Sequence, residues 1–348
     1  METLWFWLVA IMLALYVVFD GFDIGAGIVH LFVARTPGER AAVLASIGPV
    51  WDGNEVWLLA AGGTLYFAFP ALYAVAFSGF YLPLMMVLWL LILRGLSIEL
   101  RGHMEGAIWK PFWDGVFALS SLLLAVFFGA ALGNVVRGVP LGLDGRFFEP
   151  LWTDFRPGPD AGILDGYTIL VGLAALAALA QHGALWLALK TPDPVASRAR
   201  AAASRAFGAT LALTAAVTWV TLRLQPQVAT NLARWPAGWA FPALAVAGLL
   251  GTRLFTARGA PGRAFLASSA FLIAMMASAA FGLYPYVLPA ITDPSLGLTV
   301  TGAAAGAYGL RVGLVWWIVG MALVAVYVTF VYRHFAGRVS LGTETGRD

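Results

Sequence analysis

The sequence contains no cysteine. Disulfides, iron–sulfur clusters and thiolate metal sites are therefore excluded. Charge is almost as scarce. Charged residues make up 11% of the 348, hydrophobic residues 61%, and the mean hydropathy is +0.83. So few charges cannot clothe a water-soluble domain. Histidine is limited to His30, His103, His182 and His334. His103 and His334 fall in loops or at helix ends. Only His30 and His182 lie within apolar segments, so a single bis-histidine haem site is all the arithmetic allows, and a packed polar role is expected for each. HExxH, CxxC, Walker A and dinucleotide-binding fingerprints are all missing. "GAGI" and "GAAAGAYG" read as small-residue helix packing rather than phosphate loops. No metal site is expected. The pI near 9.3 comes from scattered arginines, not a basic block, so no nucleic-acid partner is expected either.

What the chain does have is long apolar runs, far longer than the roughly ten residues of a barrel strand. They predict an all-α polytopic membrane protein of about nine transmembrane helices, near 4–33, 50–69, 72–100, 110–136, 162–190, 199–223, 236–256, 263–288 and 309–335. The first run passes directly into polar residues without a small-residue cleavage site and reads as a retained helix. Nine spans put fifteen of the 21 Lys and Arg at one set of helix ends and six at the other. The positive-inside rule then places the N-terminus outside and the C-terminus in the cytoplasm. Omitting the short second helix would move Arg35 and Arg40 away from the other basic loops. "FALSSLLLAVFFGAALG" (117–133) resembles "FLASSAFLIAMMASAAFG" (265–282), four spans apart. The expected organisation is a first four-helix bundle in 1–136, an extracytoplasmic loop at 137–161, a second four-helix bundle in 162–288, a peripheral ninth helix at 309–335 and a cytoplasmic tail at 336–348.

The few acids are unevenly placed. "FDGFDIGAGIVH" (19–30) puts Asp20 and Asp23 at i, i+3 within the first apolar segment, with His30 returning near the same face. An ionised aspartate near a helix centre costs roughly 2.5–3.5 kcal/mol on insertion scales, so such residues persist only with partners, water or a bound proton. A protonatable relay and a hydrogen-bonded interhelical clamp both fit this pattern. "GPVWDGNEVW" (48–57) repeats the spacing with Asp52 and Glu55. Acids in a first helical turn are also favoured by the helix dipole. Glu99 and Asp114 complete a set of six acids on the cytoplasmic halves of the first four helices, while the last five helices carry almost none. A one-sided carboxylate cluster suits a proton-uptake path from the cytoplasm.

These blocks carry a resemblance. "FDGFDIGAG", "GPVWDGNEVWLLAAGG", "FSGFYLPLMMVL", "WDGVFALSS", "LGNVVRGVP", "FGLYPYVLP" and "DPSLGLTV" look like subunit II of cytochrome bd-type quinol oxidases, the cyanide-insensitive branch included. The likeness runs essentially the full length, with WDGNEVW its most specific block. It implies a haem-free chain in a bacterial inner membrane, paired with a similarly folded subunit I that holds two b-type haems, one d-type haem and the quinol-oxidation loop. The complex so implied oxidises quinol, reduces dioxygen to water, and takes protons from the cytoplasm without pumping. A small single-helix accessory subunit and a structural quinone inside this chain, lined by Trp51 and Trp57, are further implications. The family's acids match Asp20, Asp23 and Asp52. Glu99 stands where relatives carry Asp in a less similar stretch, Glu55 replaces a neutral amide, and His182 has no family counterpart. A proton-coupled secondary transporter using Asp20 and Asp23 is the alternative function.

Overall fold

The computed structural model describes residues 1–340, so the last eight residues of the expected tail lie outside the described part. The fold is helical. Among the described residues, eight helices are long and apolar enough to cross a membrane: α1 (Glu2–Val33), α5 (Tyr81–Leu100), α6 (Trp109–Arg137), α7 (Gly166–Lys190), α8 (Val195–Leu224), α10 (Ala240–Ala257, with the turn before it), α11 (Pro261–Leu283) and α12 (Ala307–His334). The expected second span is α3 (Trp51–Ala68), which does not join that group because its polar opening lowers its apolarity. It nevertheless runs antiparallel beside α1. Asn54 meets Asp23 at one end, and Phe67 packs on Trp5 at the other. Eighteen residues rise about 27 Å, close to the hydrocarbon thickness of a bilayer.

Three features depart from the expected layout. The third helix is interrupted at Phe80, giving α4 (Pro70–Gly79) and α5. Pro83 is the physical reason, since it has no N–H to offer the carbonyl of Gly79. A short helix, α2 (Pro37–Ile47), follows α1. Thr36 caps it and Glu39 reaches back to the cap, so "TPGE" spelled a capping box. A second short helix, α9 (Pro226–Arg234), and a small hairpin, β1 (Tyr286–Leu288) with β2 (Leu298–Thr299), close the end opposite the basic loops.

Helix α1 packs against α3, α6, α7 and α11, and α7 against α1, α6, α8 and α11. The pairings repeat: α1 with α3 and α6 in one half, α7 with α8 and α11 in the other, and α5–α6 matching α10–α11. The 117–133 and 265–282 segments lie on α6 and α11, equivalent members of this pattern. The two central helices cross at glycines. A Cβ on Gly25 would sit 2.0 Å from the Leu179 carbonyl oxygen, and one on Gly183 would sit 2.1 Å from the Gly25 carbonyl carbon. Small residues at such a crossing let backbones approach and bury polar groups between them. α12 flanks α1 and α3 with most of its surface unburied, as expected of the peripheral helix.

Candidate functional site

Side chains from α1, α3 and α5 bring Asp20, Asp23 and Glu55 together near Arg94. Asp20, Asp23 and Arg94 are each 0% exposed. The Arg94 guanidinium donates from Nη1 to Asp20 Oδ1 at 2.6 Å and from Nη2 to Glu55 Oε2 at 3.0 Å. Glu55 is 24% exposed, so the chain Asp20–Arg94–Glu55 runs from the interior to the rim. Asp23 is held differently. Its Oδ2 accepts from Asn54 Nδ2 at 2.7 Å, and the Tyr332 hydroxyl on α12 donates to Asn54 Oδ1 at 2.8 Å. Asp20 Oδ2, Asp23 Oδ1, Arg94 Nε and the Tyr16 hydroxyl are buried without a hydrogen-bond partner among the described residues. The cluster thus holds three carboxylates and one cation, which bonds two of them, and several carboxylate lone pairs remain open to a proton or water.

Asp114 belongs to a second cluster. His30 Nε2 lies 2.9 Å from its Oδ1, Arg101 Nε donates to the same oxygen at 2.6 Å, and Arg40 Nη1 donates to Oδ2 at 3.2 Å. Two arginines against one carboxylate make this cluster net positive. It fastens α2 and the end of α5 to α6. Asp52 and Glu99 are exposed and join neither cluster's hydrogen bonds. Trp57 stacks on Phe19, with ring centroids 5.8 Å apart, and Trp51 lies against Gly95. A narrow crevice beside them is lined by Pro49, Val50, Gly53, Asn54, Tyr327, Val328, Val331 and Tyr332, and by neither tryptophan.

Sequence reasoning missed Arg94 and Tyr332. The fifteen cations counted at one set of helix ends include Arg94. Its position inside "LWLLILRGLSIEL" was the signal, because a charge within an apolar run needs a partner as much as Asp20 does. Tyr332 comes from 278 residues beyond Asn54, and no local pattern joins them.

A bis-histidine haem site does not fit these residues. His182 Nδ1 is 3.0 Å from Ser268 Oγ, its Nε2 is 3.0 Å from the Val18 carbonyl, and its ring stacks on Phe265. Both ligating nitrogens are therefore occupied. No cluster of three or more His, Cys, Asp or Glu suited to a metal ion occurs among the described residues.

At the opposite end, the loop after α6 is ordered by Arg137. Its guanidinium spends every N–H: on the Gly138 and Gly162 carbonyls, Asn134 Oδ1, Asp165 Oδ2 and Glu149 Oε1, the last at 2.6 Å. Phe147 wedges against Gly79 and Phe80. Glu149 Oε2 is buried without a partner among the described residues, and burial, opposed by the Arg137 charge, pushes the Glu149 carboxyl from 4.5 up to about 7. A raised carboxyl means that the folded loop holds the proton more tightly than the unfolded chain. The stabilisation is complete below about pH 4.5 and is lost as pH rises through about 7. It amounts to at most on the order of 3 kcal/mol. Protection of residues 138–165 against hydrogen exchange in the purified protein, taken relative to the intrinsic exchange rate at each pH, should therefore be greater at pH 5.5 than at pH 8. Glu149→Gln should remove the difference. Equal protection of the unaltered protein at both pH values would refute this.

Comparison with known proteins follows the same lines as the geometry. Residues 1–335 match the family described as "Cytochrome bd terminal oxidase subunit II". The chain is 31% identical to the probable cytochrome oxidase subunit 2 of Haemophilus influenzae, covering 97% of this chain and 95% of that one. It is 30% identical to the cytochrome bd-I ubiquinol oxidase subunit 2 of Escherichia coli K12, over 98% and 95%. It is also 30% identical to the cytochrome bd ubiquinol oxidase subunit 2 of Bacillus subtilis, over 90% and 89%. The fold matches a chain of the bd oxidase from Geobacillus thermodenitrificans with a TM-score of 0.74 at 19% identity, covering 96% of this chain and 98% of that one. None of these likenesses favours a transporter. The chain is a multi-pass membrane protein, and it belongs to the cytochrome bd terminal oxidase subunit II family.

Proposed function

We propose that this chain is the haem-free subunit of a bd-type quinol oxidase, and that it scaffolds a haem-bearing subunit I and conducts protons from the cytoplasm through the Asp20–Asp23–Glu55 cluster. The relatives from E. coli and B. subtilis are ubiquinol oxidase subunits, which supports the activity for the complex. The observation that carries the proton role is the ratio of three carboxylates to the single guanidinium of Arg94, with Glu55 at the rim and Asp20 and Asp23 fully buried. Haems in the partner subunit supply the electron and dioxygen chemistry. The residues of this chain hold and pass protons. Among the described residues Asp23 has only the neutral Asn54 as hydrogen-bond partner and can gain or lose a proton without breaking an ion pair. Exposed Asp52 and Glu99 gather protons at the surface. Asp114, tied to two arginines and His30, clamps helix ends instead.

The proposed topology has nine spans, α3 included, in a bacterial inner membrane, with the N-terminus outside and the C-terminus cytoplasmic. The basic ends support this orientation. Lipid covers the outward faces of the helices. A small single-helix accessory subunit completes the assembly. A structural quinone near Trp51 and Trp57 has less support, since Trp57 is already stacked on Phe19. The test is to purify the tagged chain from its native membrane and record a reduced-minus-oxidised spectrum. Haem b and d bands that follow a second large subunit through every column are expected. A colourless chain without that partner would overturn the proposal.

A further inference from the structure

Asn54 lies between two groups of opposite need. Its amide nitrogen donates to Asp23 Oδ2 at 2.7 Å, and its carbonyl accepts from the Tyr332 hydroxyl at 2.8 Å. Asn54 is 3% exposed and Asp23 0%, so neither bond exchanges freely with solvent. The orientation of the amide is fixed at both ends. A carboxylate accepts only, so it takes the NH2, and the C=O is left for the tyrosine proton. The crevice between the start of α3 and the end of α12 opens beside this chain. Val50, Gly53, Asn54, Val331 and Tyr332 are among its walls. Asp20 and Glu55 are engaged by Arg94, whereas among the described residues the side chain of Asp23 is hydrogen-bonded by Asn54 alone. Charged groups facing Asp23 from the packed helices are Asp20, on its own helix, Glu55 on α3 and Arg94 on α5.

We infer that Asn54 and Tyr332 form a two-state hydrogen-bond switch that positions Asp23 for proton transfer and couples its protonation to α12. The inference rests on the proposed role of Asp23 in proton uptake. In the first state Asp23 is a carboxylate and the bonds run as described. A proton from water in the crevice then binds an Asp23 oxygen. The protonated carboxyl has an O–H to donate, and the Asn54 amide turns over to accept it with Oδ1. Asn54 Nδ2 then donates to the Tyr332 oxygen, and the tyrosine O–H turns toward the crevice. No covalent bond other than that to the transferred proton is made or broken, and Tyr332 and Asn54 keep their own hydrogens throughout. The two residues are positioning residues, because neither carries the transferred proton.

The test uses the assembled complex and three variants: D23N, Y332F and F19L. Redox-induced infrared difference spectra report the carboxyl C=O stretch, and the band absent in D23N belongs to Asp23. Y332F removes one oxygen, releases the amide and weakens its bond to Asp23, so the Asp23 band should move to higher frequency. One neutral hydrogen bond corresponds to up to about tenfold in an equilibrium, so the pH profile of oxygen turnover should move within that limit. F19L alters packing on the Tyr332 ring, whose centroid lies 5.6 Å from that of Phe19, but no hydrogen bond, and should leave the band in place. If Y332F fails to assemble with normal haem content, Y332M, which likewise lacks a donor to the Asn54 carbonyl, is measured instead. An Asp23 band at the same frequency in the Tyr332 variant and the unaltered complex overturns the switch while leaving Asp23 as a proton carrier. Unchanged turnover in D23N overturns both the switch and the reading on which it rests.

Discussion

Replacing Arg94 with leucine is expected to abolish accumulation of the folded subunit. Arg94 is wholly buried and is bonded to Asp20, which is wholly buried too. Removing one partner of such a pair strands a charge in a low-dielectric interior and costs about 3–5 kcal/mol, a large part of the stability of a typical domain. Glu55 would lose its partner as well, but it is partly exposed and water can replace the guanidinium. The asymmetry gives a second arm. The double variant R94L/D20L removes both charges and leaves apolar groups of comparable bulk, an exchange that is often neutral or stabilising. It should recover the subunit in the membrane while leaving oxygen turnover impaired. Yield and unfolding temperature of the purified complex are the measurements. Normal yield of R94L, or no recovery in the double variant, would show that the Asp20–Arg94 pair does not hold α1 to α5.

Much of the fold was legible because its signals are local. Long apolar runs marked the spans, and scattered arginines marked one set of ends. The capping box at Thr36 and the break at Pro83 are local signals too, but a search for long apolar runs passes over the short polar α2 and runs straight through Pro83. The site was half legible. Asp20 and Asp23 were conspicuous because a membrane helix tolerates few charges. Their partners were not, because pairing is set by which helices touch. Arg94 is 74 residues from Asp20, and Tyr332 is 278 from Asn54. Counting charge by position along the chain also grouped Asp114 with the other acids. The structure separates it, since Arg40, Arg101 and His30 converge on it from α2, the end of α5 and α1. Spacing gives the face of one helix and says nothing about what faces it.

The account stands most directly on Asp23. Asp23→Asn keeps the size of the side chain and its ability to bond Asn54, and removes only the capacity to take up a proton. The deciding measurement is the oxygen-consumption rate of the purified complex carrying D23N, divided by its haem content, with excess quinol. Haem content and assembly should match the unaltered complex, because the substitution strands no charge. Turnover should fall roughly a hundredfold or more, the lower end of the range for losing a positioned proton-transfer group. A D23N complex with normal haem content and undiminished turnover would contradict the account, and Asp23 would then be a clamp between helices.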